Sequence, residues 1–222
     1  MTPERWRKLQ QTLALRQPDL TVVMDQVHKL HNFSAIVRSC DAVGVGVAHY
    51  VPARCGLTTS SGLSAGSNKW VETVRHDSFA QAAAVLKSQG YVLAAAHASP
   101  DSVDFRDHDF TRPTAIVLGT ELYGMSENAL ALCDVQLAIP MLGMVESLNV
   151  SVACALMLYE AQRQRQAAGL YHQRRLPEDT YHKLLFQWAH PKVARWCQER
   201  NLPYPPLRED GQIDGPLPQP SD

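Results

Sequence analysis

At 222 residues the chain is long enough for one substantial domain with short appendages, and no stretch is long and apolar enough to span a bilayer. Its cysteines (Cys40, Cys55, Cys133, Cys154 and Cys197) form no C-x-x-C pair, and the first residues carry no apolar run like that of a signal peptide. This argues against a disulfide framework or a zinc site and for reduced thiols in a cytoplasmic protein.

The net charge of -1 excludes a polycation, but the charge is uneven. Arg5, Arg7, Lys8 and Arg16 lie near one end. Arg163, Arg165, Arg174, Arg175, Lys183, Lys192, Arg195 and Arg200 lie toward the other. Basic ends around a neutral-to-acidic body fit either nucleic-acid-gripping arms or ordinary solvated helix faces.

Residues 4–16 read as a short basic helix, broken by Gln17-Pro18-Asp19. Thr21 to Val27 is β-branched and apolar and reads as a strand. Asn32 suits the N-cap of a helix through Val43, with Gly44 at its C′ position. Val45 to Val51 reads as a second strand and Ser60 to Ser67 as a Gly/Ser-rich loop. Ser78 caps a helix that ends before Gly90. Tyr91–Ala96, Thr114–Leu118 and Val135–Pro140 give three more strands, with a polar, irregular stretch from Asp101 to Arg112. A helix from about Ser147 to Ala168 ends at Gly169. Beyond Leu202 the chain is Pro-rich and polar, which predicts little fixed structure. Apolar strands alternating with helices predict an α/β fold with a parallel sheet covered on both faces.

The dinucleotide fingerprint and the phosphate-binding P-loop are absent. Attention therefore falls on the strand ends. Leu118-Gly119-Thr120-Glu121 and Ile139-Pro140-Met141-Leu142-Gly143-Met144 place glycines where a backbone can approach a ligand closely. Read alone, these are better explained as ordinary tight turns, and Ser147 and Asn149 as helix caps. Arg38 lies on a helix otherwise lined by Ile36, Val37, Cys40 and Val43, where a guanidinium normally has a carboxylate or phosphate partner, Asp41 being one candidate. His28 and His31 lack a third ligand, so no metal is expected.

Together, Asn32 through Arg38, Leu118 through Glu121, and Ile139 through Ser151 resemble the three ordered motifs of the SpoU branch of the SPOUT methyltransferases. Arg16-Gln17-Pro18-Asp19-Leu20, His28-Lys29 and Tyr159 through Gln166 are similar to the members that methylate the ribose 2′-oxygen of guanosine-18 in the tRNA D-loop. The resemblance spans about residues 1–205.

It implies a SPOUT fold with a deep C-terminal trefoil knot over residues 19–168, an N-terminal basic arm over 1–18 and a C-terminal helical extension and tail over 169–222. It also implies S-adenosylmethionine as cofactor, tRNA as substrate and a homodimer. Leu118, Gly119, Ile139, Met141 and Leu148 would hold the cofactor's adenine and ribose. Ala96 would add a backbone contact where relatives often carry a hydroxyl. Asn32, Glu121, Ser147 and Asn149 would shape the catalytic pocket around Arg38, which approaches the cofactor of the other subunit. Arg5, Arg16, Arg163 and Arg165 would contact tRNA phosphates.

The chemistry implied is an in-line displacement that must align oxygen, methyl and sulfur and remove the hydroxyl proton. An arginine is nearly always protonated. Either desolvation beside the sulfonium lets Arg38 release a proton, or Arg38 positions a substrate phosphate that accepts one. Ribosomal RNA as substrate, a non-catalytic RNA-binding module and a small-molecule enzyme are the alternatives. The first lacks the separate N-terminal RNA-binding domain common there, the second has no use for the motif residues, and the third none for basic arms.

Overall fold

Among the described residues seven short strands pair in parallel, the central ones apolar enough to be covered on both faces. They are β1 (Leu20–Asp25), β2 (Val47–Val51), β3 (Glu72–Arg75), β4 (Val92–Ala96), β5 (Val103–Asp104), β6 (Thr114–Leu118) and β7 (Val135–Ala138). The spatial order is β3-β2-β1-β6-β4-β7-β5. In the central strands β1 and β6 every residue is buried. The computed structural model describes residues 1–53, 69–120 and 124–218. The expected loop at Ser60–Ser67 lies outside them.

Among the described residues seven helices accompany the strands: α1 (Pro3–Ala14), α2 (Leu30–Ala42), α3 (Phe79–Ser88), α4 (Glu127–Leu130), α5 (Val150–Ala167), α6 (Glu178–Ala189) and α7 (Pro191–Glu199). Alternate strand residues face opposite sides. Val22, Met24 and Ile116 pack with Phe33, Ile36, Met157 and Leu158 of α2 and α5. Val23, Ala115 and Val117 pack with Phe79, Ala82, Leu86 and Ala129 of α3 and α4.

The expected parallel α/β sheet is the observed one, with differences in detail. β3 and β5 went unread, since β3 is a four-residue edge strand with exposed ends and β5 has two residues inside the polar stretch. α2 begins at Leu30 with Lys29 at its cap position, so Asn32 is an interior residue rather than the N-cap. α5 begins at Val150, leaving Ser147 in the preceding turn. Gly44, Gly90 and Gly169 do take positive φ just past their helices, at 86°, 84° and 77°.

The chain divides into two compact units, Gln17–Leu170 and Met1–Arg16 with Tyr171–Asp222. The first holds the sheet. In the second, α1 packs on α6 and α6 on α7. Its Pro-rich stretch is packed over the described residues to 218, contrary to the sequence expectation. The Trp6 indole N–H donates to the Glu209 carbonyl at 2.7 Å, and His190 Nε2 lies 2.8 Å from the Gly211 carbonyl oxygen. Gln187 and Gln198 both donate to the Tyr204 hydroxyl, and Leu207 bridges Ile213. A Cβ on Gly211 would sit 2.5 Å from the Trp6 ring, so only glycine fits under that indole. Prolines stiffen a segment without preventing packing.

Candidate active site

β6, β4 and β7 are neighbours and parallel, so their carboxyl ends emerge side by side. Crevices at such ends are where open α/β sheets bind ligands. After β6 the chain turns at Gly119 and closes on itself. Thr120 N donates to the Gly124 carbonyl at 2.9 Å and Gly124 N returns a bond to Thr120 at 3.0 Å. A Cβ on Gly119 would lie 2.5 Å from Gly124 C and O and 2.6 Å from Met125 N. These are backbone atoms that cannot swing aside, so the turn requires glycine there. Gly124 itself takes φ +63°.

The pocket at these ends has a volume of about 610 Å³. Ala96, His97 and Ala98 form the β4 side; Leu118, Gly119, Thr120 and Gly124 the β6 side; Leu137, Ile139 and Met141 the β7 side. The approach to α5, Glu146 through Val150, closes it with Ala153 and Met157, and Lys29 stands at the start of α2. Apolar strand ends with backbone amides and carbonyls suit a flat heteroaromatic ring with polar edges. Cys154 lies next to Ala153 but is fully buried, and burial pushes its thiol far above the usual range. It is a core thiol rather than a nucleophile. No group of three metal-ligating side chains occurs among the described residues.

Asn149 joins the two helices beside the pocket. Its Oδ1 accepts from Ser151 N at 2.9 Å, capping α5, while its Nδ2 donates to Asn32 Oδ1 at 3.2 Å. Asn32 is 1% exposed and sits on α2, which packs against α5. One side chain thus serves as cap and as tether.

All six positions expected at the cofactor (Ala96, Leu118, Gly119, Ile139, Met141 and Leu148) line the pocket, with Ser147 and Asn149. Asn32 is one hydrogen bond behind it. Arg38 does not line it. It projects from the exposed side of α2, with no hydrogen-bond or ion-pair partner among the described residues. Asp41 is therefore not its partner. Glu121 lies outside the described residues. Lys29 and Thr120, read from sequence only as parts of motifs, line the pocket, as do His97 and Glu146, which the sequence reading gave no role. Adjacency to Ala96 and Ser147 was the available signal for His97 and Glu146.

Of the four arginines expected to meet phosphates, Arg5 and Arg163 are exposed, and Arg163 makes a two-pronged pair with Glu160 at 2.9 and 2.7 Å. Arg16 and Arg165 correct the expectation. Arg16 is 2% exposed and lies over the Trp188 ring at 5.2 Å. Arg165 is fully buried. It donates to Asp19 Oδ1 at 2.6 Å, to Gln17 Oε1, and to the carbonyls of Phe110, Asp19 and Arg112. Its guanidinium ties the segments before β1 and β6 to α5 and has no surface left for a phosphate.

With this fold and pocket, the chain belongs to the SpoU rRNA methylase family, whose model matches residues 19–159; the SpoU rRNA methylase C-terminal model matches 163–216. It is 49% identical over 216 residues to the tRNA (guanosine(18)-2′-O)-methyltransferase of Escherichia coli (strain K12), covering 96% of this chain and 94% of that protein. Among solved structures, the A. aeolicus TrmH/SpoU tRNA modifying enzyme superposes with a TM-score of 0.78 at 43% identity, covering 86% of this chain and 97% of that one. The SpoU methyltransferase AviRb from Streptomyces viridochromogenes, in complex with AdoMet, gives a TM-score of 0.61 at 30% identity, over 68% and 62%.

Proposed function

We propose that this protein transfers a methyl group from S-adenosylmethionine to the ribose 2′-oxygen of guanosine 18 in tRNA. The observation that carries this reading is the strand-end pocket. It is built from the residues the family motifs single out, in a chain nearly half identical to an enzyme named for that reaction. When bound, the cofactor supplies an electrophilic methyl on a sulfonium.

The rest falls to the chain. Leu118, Leu137 and Ile139 give an apolar seat, and the Gly119 and Thr120 backbone gives polar edges for orientation. Asn149 and Asn32 hold the wall beside the reacting groups. Arg38, as a cation, orients the incoming RNA backbone so that a substrate phosphate takes the 2′-hydroxyl proton as the oxygen attacks the methyl. Arg5 and Arg163 supply exposed charge for phosphates.

In the same reading two copies pair, and the turns around Gly119 and Ile139–Asn149 form the trefoil knot of the family. Val152, Leu156 and Tyr159 make an exposed apolar stripe on α5, at 47%, 42% and 53% exposure, and Leu142 and Met144 stand fully exposed beside the pocket. A second copy on this face buries the stripe. It also explains why Arg38 lies outside its own subunit's pocket, since it then serves the other.

The test is tritiated S-adenosylmethionine with unmodified tRNA transcripts, followed by nucleoside analysis. Label in 2′-O-methylguanosine at position 18 supports the reading. Label only in ribosomal RNA, or none, overturns it.

A further inference from the structure

The pocket described above is apolar at its strand ends and charged at its entrance. Among the described residues that line it, Lys29 is the one fixed cation and Glu146 the one carboxylate. Their placement is matched. Lys29 lies three residues before Asn32 and Glu146 three before Asn149, and the Asn149–Asn32 hydrogen bond joins those two positions at 3.2 Å. The start of α2 and the approach to α5 therefore carry opposite charges to one rim of one cavity.

A rim with one charge of each sign, above an apolar seat for a ring, fits a ligand with an apolar heteroaromatic end and a zwitterionic end. We infer that Lys29 and Glu146 form a clamp for the amino-acid end of the nucleoside ligand, Lys29 holding its α-carboxylate and Glu146 its α-ammonium. This rests on the reading that the pocket takes S-adenosylmethionine and its product. The clamp leaves the adenosine end untouched and adds orientation at the sulfur, because fixing both charges of the amino-acid end limits rotation of the chain that carries it.

The test compares two probes that differ only at that end: S-adenosylhomocysteine, and 5′-methylthioadenosine, which keeps the thioether nucleoside and lacks the amino acid. Dissociation constants are measured by displacement of labelled S-adenosylhomocysteine from the full-length protein and from Lys29→Met and Glu146→Gln. Each substitution is expected to weaken S-adenosylhomocysteine about tenfold, the scale of one charge-assisted contact at a partly solvated site, and to leave methylthioadenosine within about twofold. Equal weakening of both probes means the residues only shape the pocket, and no weakening means they do not touch the ligand; either result overturns the clamp. Failure of the unsubstituted protein to bind S-adenosylhomocysteine at all instead overturns the cofactor reading beneath it.

Discussion

The side chains of Asn149 and Asn32, 117 positions apart, meet in a single hydrogen bond of 3.2 Å beside the pocket. Because Asn149 also caps α5, its two duties separate by substitution. Serine caps a helix about as well but is too short to reach Asn32. Both Asn149→Ser and Asn149→Ala remove the bond to buried Asn32, so Asn149→Ser is expected to be about 1 kcal/mol more stable than Asn149→Ala, the worth of the cap alone. Both are expected to lose turnover. Urea denaturation alongside methyl-transfer rates checks this, and full activity in the serine variant would make the tether irrelevant.

Arg38 does not line the pocket, and on the proposed reading it acts on the substrate rather than on the cofactor, so cofactor affinity is expected to survive its loss. Arg38→Ala is expected to lower turnover by at least about a hundredfold, as for loss of a group that aligns the reacting atoms. Calorimetric titration of S-adenosylmethionine into the variant checks the second half. Lost binding would show that Arg38 builds the pocket.

Arg165 is a stability residue. A lysine in its place retains the charge but cannot reach Asp19, Gln17 and three carbonyls at once. Arg165→Lys is expected to cost about 3 kcal/mol in urea denaturation, the scale for breaking a buried ion pair. Arg163→Ala, at an exposed site, is expected to leave stability nearly unchanged and to flatten the salt dependence of tRNA binding by one phosphate's worth.

His49 on β2 and His76 just past β3 are buried, with Nδ1 and Nε2 2.9 Å apart. Burial first, and then the neighbouring His76, hold the His49 pKa down to about 4. A base whose folded pKa lies below its unfolded value of about 6.5 adds stability above that value. That stability is lost as pH falls from about 6.5 toward 4. Between pH 7.5 and pH 5 the unfolding free energy is expected to drop by about 2 kcal/mol from this group. His49→Asn is expected to flatten that slope in urea titrations at the two pH values.

The central strands were legible in the sequence because burial on both faces leaves a continuous apolar run, as in Thr114–Leu118. Gly119 was legible as a glycine at a strand end, though not the reason for it, which is a backbone atom 2.5 Å away belonging to a turn five residues on. The Asn149–Asn32 pairing was not readable, since sequence spacing carries no signal across 117 residues. Arg163 and Arg165 read alike in the Gln-Arg alternation of α5. Two residues on a helix differ by about 200° in direction, so one faces water and the other the interior. Local composition cannot register that difference until the face of the helix is known.

The hydrogen bond from Trp6 to Glu209 spans 203 residues and belongs to a unit made from both ends of the chain. The sheet unit is continuous, from Gln17 to Leu170. During synthesis, which adds about 5–20 residues per second, α1 emerges before the sheet unit yet has no α6 and no Glu209 to dock on until that whole unit has been made. The sheet and its pocket can therefore assemble on the ribosome while α1, made before them, still waits for its partners.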